Sequence, residues 1–98
     1  MADYRLTRMA AEQLTEIIAH SEDQFGARQA DAYHAGFVST FQLLADFPGI
    51  GPAVYEIKQG WHRYRFQSHY VFYTDQGDHV LIEAIIHTKR NIKPDLFE

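Results

Sequence analysis

The sequence predicts an α+β domain with the order βααβββ, in which an N-terminal helical hairpin packs on one face of a small antiparallel sheet. Three observations predict it. Apolar residues recur at helical spacing between residues 7 and 46, residues suited to pleated surfaces fill three short runs between 61 and 87, and turn-forming residues separate those runs. The apolar stripes of the helices need a partner, and one face of the three strands is the largest available.

The chain begins with a strand-like alternation that leads into a first helix. Tyr4 and Leu6 alternate with polar residues, which predicts a short strand with these two side chains inward. Thr7 is a suitable N-cap, and Gly26 can adopt the left-handed conformation that closes a helix. The apolar stripe between them consists of Leu14, Ile17, Ile18 and Phe25.

A second, longer helix completes the hairpin at about residues 7–46. A residue before proline disfavours the helical conformation, so Phe47-Pro48 ends this helix. The following Gly49-Ile50-Gly51 lacks the strand-to-helix setting of a phosphate loop and is interpreted as a hinge. The apolar stripe of the second helix consists of Ala30, Tyr33, Phe37, Phe41 and Leu44.

The three later strands form a meander at about residues 61–87. Gln67 and Ser68 leave room for a two-residue hairpin, and residues 75–78 hold a glycine between turn-forming acids. These loop lengths fix a register for the sheet. The pairs that it predicts are Phe66 with His69, Tyr64 with Val71, His62 with Tyr73, Val71 with Ile82 and Tyr73 with Val80.

The two faces of the predicted meander differ in composition. The apolar face carries Tyr64, Phe66, Val71, Tyr73, Val80, Ile82, Ala84 and Ile86, with His62 and His69 as its polar members. The opposite face carries the rows Arg65, Tyr70, Glu83 and Arg63, Phe72, Leu81, with Trp61 and His87 at its margins. Aromatic side chains beside arginine indicate either a binding surface or a face covered by the chain's own C-terminal tail.

Length and composition limit the possible functions. The 98 residues suffice for one core, so a single domain over residues 1–98 is expected. The absence of cysteine excludes disulfides and thiol chemistry, and no apolar run is long enough to span a membrane, so a cytoplasmic protein without membrane association is predicted. A net charge of −4 argues against direct, sequence-specific nucleic-acid binding by the chain alone.

Neither a metal nor a cofactor is expected from the motifs. The six histidines are spread over both helices and all three strands without the short, convergent spacing of a zinc site. The C-terminal tail, residues 88–98, ends with Leu96 and Phe97 before the last residue, and these two are expected to pack on the domain or on a partner.

The chain resembles the ParE toxins of the RelE/ParE superfamily over essentially its whole length. The resemblance rests on Phe47-Pro48-Gly49-Ile50-Gly51 after the second helix, on Ser68-His69-Tyr70-Val71-Phe72-Tyr73 in the middle strand, and on Ile85-Ile86-His87 in the last. It implies a toxin of a type II toxin–antitoxin module that inhibits DNA gyrase by binding rather than by catalysis. It also implies neutralisation by a ParD-like antitoxin whose tail wraps the helical hairpin.

Two alternatives remain open beside this interpretation. RelE-like relatives cut messenger RNA on the ribosome and carry an arginine on the middle strand, where this chain has Tyr70. Arg65 and His87 are then the candidates for nuclease chemistry, as a cationic group and an acid or base. The third hypothesis is a non-toxic remnant that binds an antitoxin and attacks nothing.

The candidate target contacts are taken from the mixed face and the start of the tail. The ending His87-Thr88-Lys89-Arg90-Asn91 keeps a basic pair but departs from the His-Gly-Arg-Arg-Asp found in many ParE-like chains. Replacing Trp61 or Arg65 by alanine is expected to leave the fold intact, because both are predicted to project away from the core. The candidates are Trp61, Arg63, Arg65, Tyr70, His87, Lys89 and Arg90.

Overall fold

Two helices joined at a single residue lie on one face of a four-stranded sheet. The computed structural model describes residues 2–92, and the predicted packing of Leu96 and Phe97 lies outside them. The βααβββ order and the α+β class are confirmed. The elements are β1 Tyr4–Leu6, α1 Arg8–Phe25, α2 Ala27–Asp46, β2 His62–Phe66, β3 His69–Asp75 and β4 Val80–His87.

The start of α1 is fixed both locally and to the sheet. The Thr7 hydroxyl accepts a hydrogen bond from the Ala10 N–H at 3.1 Å, as expected of an N-cap, and donates one to the Glu83 carbonyl at 2.8 Å. The Thr7 N–H also donates to the Ile82 carbonyl at 3.0 Å. Gly26, with φ of 91°, ends α1 and immediately precedes α2. The predicted N-cap at Thr7 and the predicted helix end at Gly26 are therefore both confirmed.

The sheet is mixed rather than antiparallel, which corrects the sequence-based expectation. Its strand order is β1-β4-β3-β2, and β1 pairs with β4 in parallel, with Tyr4 opposite Val80 and Leu6 opposite Ile82. The element that follows β1 in the chain is the helix α1, so β1 has no adjacent strand with which to form a hairpin. It therefore completes the edge of β4, where Tyr4 and Leu6 pack against the same core as the helices.

The register of β2 and β3 agrees with the prediction, but that of β3 and β4 does not. Tyr64 pairs with Val71 as predicted, whereas Tyr73 pairs with Ile82 and Val71 with Ile85. One cause is that β3 continues to Asp75, so the turn comprises residues 76–79. The other cause is a β-bulge in β4.

Glu83 is the additional residue of this bulge. Tyr73 pairs with Ile82 and the preceding Phe72 pairs with Ala84, so Glu83 has no partner of its own in β3. Side chains alternate along a strand, and one extra residue reverses that alternation for everything beyond it. Ala84 and Ile86, predicted on the apolar face, therefore lie on the opposite one, while Ile85 faces the helices.

We call the two sides of the sheet the helix-covered face and the outer face. On the helix-covered face, the stripe of α2 packs against β3 and β4, and Tyr4, Leu6, Tyr64 and Phe66 border this core. The prediction that Phe25 belongs to the apolar stripe is wrong, because its side chain is 66% exposed at the end of α1. The core residues are Ala10, Leu14, Phe37, Phe41, Leu44, Val71, Tyr73, Val80, Ile82 and Ile85.

The buried Tyr73 hydroxyl attaches the segment after α2 to this core. It donates to the Pro48 carbonyl at 2.8 Å and accepts from the Gly51 N–H at 2.9 Å. A Cβ at Gly51 would lie 2.5 Å from the Arg63 carbonyl oxygen and 2.7 Å from the Tyr73 hydroxyl. Glycine at position 51 is therefore required for the chain to pass this close to Arg63 and Tyr73. Within residues 2–92, neither helix is both long and apolar enough to cross a membrane.

Replacing Ile82 by alanine should lower the free energy of unfolding by about 2–5 kcal/mol, because a fully buried side chain would leave a cavity. Urea denaturation followed by far-UV circular dichroism would measure the change. Ile50→Ala is the matched control, since Ile50 is 47% exposed and its truncation should cost less than about 0.5 kcal/mol. Equal losses in the two variants would contradict the assignment of the core.

Candidate interaction surfaces

The outer face is largely covered by the chain itself. Residues 47–60, which we call the linker, return along β2: Ala53 forms a bridge with His62, and the Val54 N–H donates to the Trp61 carbonyl at 2.9 Å. The alternative of a face covered by the C-terminal tail is therefore corrected: the linker is the main cover, and Ile92 of the tail contributes. The cluster consists of Val54, Trp61, Phe72, Ala84 and Ile86, bordered by Ile57, Tyr70 and Ile92.

The prediction of an exposed tryptophan is wrong. Trp61 is only 6% exposed, and its ring lies 5.9 Å from that of Phe72, centroid to centroid. The Lys58 ammonium lies 5.3 Å from the centre of the Trp61 ring. The sequence interpretation took residues 47–60 as a simple connection, and for that reason it left Trp61 and Phe72 without a cover. Trp61 is therefore part of the buried cluster on the outer side of the sheet, where its side chain packs within the protein.

One part of the outer face that stays accessible is a strip of the exposed Arg65 and the half-buried Arg63 and Tyr70, which we call the arginine strip. The Arg63 guanidinium carbon lies 4.5 Å from the centre of the Tyr70 ring, a cation–π arrangement that holds this arginine flat on the sheet. Arg65 is exposed and donates from Nε to the Gln67 carbonyl at 2.9 Å. These three residues lie on the face where the sequence predicted them.

The predicted row Arg65, Tyr70, Glu83 does not form. The bulge displaces Glu83, whose carboxylate accepts a hydrogen bond from the Thr74 hydroxyl at 2.9 Å, and Ile86 takes its place opposite Tyr70. The row Arg63, Phe72, Leu81 is corrected likewise, since Ala84 is the partner of Phe72.

His87 lies on the helix-covered side of the sheet, not on the outer face. It pairs with His69, which in turn pairs with Phe66, and directly opposite residues of antiparallel strands share a face. Arg65 pairs with Tyr70 on the outer face. The two candidates for nuclease chemistry therefore project from opposite sides of the sheet. The cause is again the reversed alternation beyond Glu83.

Lys89 and Arg90 are exposed in the turn that follows β4. The Arg90 N–H donates to the His87 carbonyl at 3.0 Å, and the Lys89 N–H donates to His87 Nδ1 at 3.0 Å. The Thr88 N–H donates to the Ser68 carbonyl at 2.8 Å, which ties this turn to the β2–β3 hairpin. The basic pair is thus presented by an ordered turn.

A groove that the sequence did not predict lies between the helical hairpin and the β2–β3 turn. Its volume is about 1070 Å³. No local sequence signal marks it, because its lining combines residues of α1, α2 and the β2–β3 hairpin with His87, whose side is set by the bulge. The side chains that matter most in it are Ile17, Phe25, Arg28, Tyr33, His69 and His87.

Two titrating groups in the groove have perturbed pKa values. Burial lowers the pKa of His69 below its ordinary 6.5, and the neighbouring His87 lowers it further. Burial raises the pKa of Tyr33, whose hydroxyl lies 2.9 Å from His69 Nδ1. His69 is therefore held in the neutral form near pH 7. The described part of the chain contains no group of three or more His, Cys, Asp or Glu side chains that could bind a metal ion.

Comparisons with known proteins agree on one family. Residues 4–92 match the family model described as "ParE toxin of type II toxin-antitoxin system, parDE". Toxin ParE1 of Caulobacter vibrioides is 33% identical over 96 residues, which span 98% of this chain and 99% of that protein. A solved chain of the chromosomal ParDE TA system from P. aeruginosa has a TM-score of 0.77 at 19% identity, covering 91% of this chain and 98% of its own. That structural likeness confirms the fold.

Trp61→Ala should lower the free energy of unfolding by about 3–5 kcal/mol, because it removes the largest side chain of the outer cluster. Arg65→Ala is the comparison on the same strand, and its exposed side chain should contribute less than about 0.5 kcal/mol. Chemical denaturation of both variants measures the difference. A fully stable Trp61→Ala protein would contradict the burial described above.

The low pKa of His69 should make stability depend on pH. Between that folded-state pKa and 6.5, the unfolded chain binds more protons than the folded one, so stability falls as pH is lowered through this window and levels off below it. His69→Gln should reduce the loss seen in denaturant midpoints between about pH 7 and about pH 5. His34→Gln, at an exposed position of α2, is the control and should lose as much stability between these pH values as the unmodified chain.

Proposed function

Since this chain belongs to the ParE toxin family of type II toxin–antitoxin systems, we propose that it inhibits DNA gyrase by binding and that a ParD-like antitoxin neutralises it. Both parts extend the family assignment to a particular target and a particular partner. On this proposal the protein acts in the bacterial cytoplasm, where gyrase and DNA are found.

One observation carries the choice of binding over RNA cleavage. Arg65 and His87, the groups that nuclease chemistry would use together, project from opposite faces of the sheet. Acid–base catalysis on one phosphate requires its groups within hydrogen-bond reach of the same reacting atoms. Tyr70, at the position where RelE-like nucleases are expected to carry arginine, instead lies against Arg63. These placements favour a docking surface on the outer face.

The arginine strip and the Lys89-Arg90 turn are the proposed target contacts. Arg63 and Arg65 lie on the outer face and Lys89 and Arg90 in the exposed turn after β4, so these surfaces offer four cations on a chain whose net charge is −4. Complementary charge steers association and fixes orientation more than it adds affinity. Trp61 and His87, also predicted as contacts, are not part of this surface, because one is buried and the other lies on the opposite side.

The groove beside the helical hairpin is the proposed site for the antitoxin. Its apolar wall includes Ile17 and the largely exposed Phe25 of α1, and Phe66 of β2. An apolar groove of about 1070 Å³ next to two helices suits a peptide segment that inserts apolar side chains. Ring contacts pre-form its floor, with Tyr33 stacked on Phe66 at 5.7 Å.

The purified chain should suppress supercoiling by gyrase and cause cleaved DNA to accumulate. Arg63→Ala combined with Arg65→Ala should weaken this inhibition about tenfold or more, which corresponds to a loss of about 1.4 kcal/mol of binding free energy. Titration of each protein into a supercoiling assay, read by gel electrophoresis, measures the effect.

Arg8→Ala is the matched control for this experiment. Arg8 is an exposed arginine that forms an ion pair with Glu12 on the surface of α1, away from the proposed contacts, so its loss should leave gyrase inhibition unchanged. If gyrase stays active and transcripts are cut in a translating extract, the chain is a ribosome-dependent nuclease and the proposal is wrong. Normal growth of cells that express the folded chain alone would indicate the non-toxic remnant.

A further inference from the structure

Two imidazoles meet at one end of the groove. His69 and His87 are directly opposite on β3 and β4, and their ring centroids lie 5.2 Å apart at an interplanar angle of 78°. Both line the groove, with His69 partly buried and His87 exposed. Gyrase binding through the outer face uses neither, so the pair is available for a separate role.

The hydrogen bonds around the pair define which ring atoms carry protons. A backbone N–H can only donate, so the bond from the Lys89 N–H to His87 Nδ1 requires that nitrogen to be unprotonated. The proton of neutral His87 is therefore on Nε2. The Tyr33 hydroxyl lies 2.9 Å from His69 Nδ1, and when it donates to that nitrogen, His69 also carries its proton on Nε2. In that arrangement both rings present an Nε2–H that has no hydrogen-bond partner within residues 2–92.

The groove is less acidic than the chain as a whole. Arg28 of α2 and His20 of α1 line it, and Glu16 of α1 is the one carboxylate among the described residues of its lining. The chain as a whole carries −4, so the groove departs locally from the overall charge. Apolar side chains adjoin these groups along the wall formed by Ile17 and Phe25.

We propose that His69 and His87 bind a carboxylate that an apolar group accompanies, namely an acidic side chain next to a large apolar one in a peptide segment of the antitoxin. Only the identity of the partner rests on the proposed function; the chemistry of the site rests on the two donors, Arg28 and the apolar wall. The proposal specifies a pair of adjacent residues that such a segment must contain.

Carboxylate binding is coupled to proton uptake by His69. When His69 takes up a proton, the Tyr33 hydroxyl can rotate and accept a hydrogen bond from His69 Nδ1–H. In the free protein, burial and His87 keep the pKa of His69 low. A bound carboxylate offsets both effects, so its affinity increases as the pH falls while the carboxylate itself stays ionised.

Two small probes of the same shape test the site. 3-Phenylpropanoate carries a carboxylate near a phenyl group. In 3-phenylpropanamide a neutral amide of similar shape takes the place of the carboxylate. Titration of each into the full chain, followed by the imidazole C2–H resonances, should show the carboxylate binding about tenfold more tightly than the amide. Its affinity should rise between about pH 7.5 and about pH 6, with the His69 resonance reporting a higher pKa in the complex.

Variants assign the effect to the pair. His69→Gln should remove the pH dependence, and His87→Gln should reduce the preference for the carboxylate; amide-proton spectra establish that both fold. His34→Gln, at an exposed position of α2, should bind like the unmodified chain. Equal binding of the two probes, binding of neither, or an unchanged preference in both groove variants would overturn the proposal. The gyrase assay is independent, so carboxylate binding without gyrase inhibition would overturn the proposed function alone.

Discussion

The bulge at Glu83 is the constraint on which the rest of the structure depends. Its backbone carbonyl accepts a hydrogen bond from the Thr7 hydroxyl, and its carboxylate accepts one from Thr74, so both parts of the unpaired residue are held. The first bond also joins the start of α1 to β4. A single residue therefore sets the position of the helical hairpin and the face on which each later side chain of β4 lies.

Because the alternation reverses at the bulge, β4 supplies apolar side chains to both sides of the sheet. Ile82 and Ile85 enter the core under the helices, while Ala84 and Ile86 belong to the outer cluster. The second cluster needs its own cover, and the linker provides it. The Tyr73 hydroxyl holds the start of that linker through Pro48 and Gly51, so the inner core also positions the segment that covers the outer one.

Local patterns in the sequence were sufficient for the helices, their caps, the β2–β3 hairpin and the outer-face position of Arg63, Arg65 and Tyr70. Each of these depends on residues close together in the chain. The bulge depends on a contact between Thr7 and Glu83, 76 positions apart, and the pairing of β1 with β4 is equally distant. Neither leaves a local signal. The bulge is the reason that His87 lies on the face opposite to the predicted one, whereas Trp61 is on the predicted face but is buried because the linker covers it.

Separation of the two proposed surfaces limits how neutralisation could work. The arginine strip lies on the outer face and the groove on the helix-covered side, and they come close at Gln67, which lines the groove and whose carbonyl accepts from Arg65 Nε. An antitoxin segment confined to the groove would therefore lie beside Arg65 without covering the outer face. Neutralisation would have to come from the bulk of the antitoxin or from a continuation of its chain past the turn at Lys89 and Arg90, which follows directly after His87. That turn adjoins the groove through the bond from the Thr88 N–H to the Ser68 carbonyl, so it connects the groove with the proposed target contacts Lys89 and Arg90.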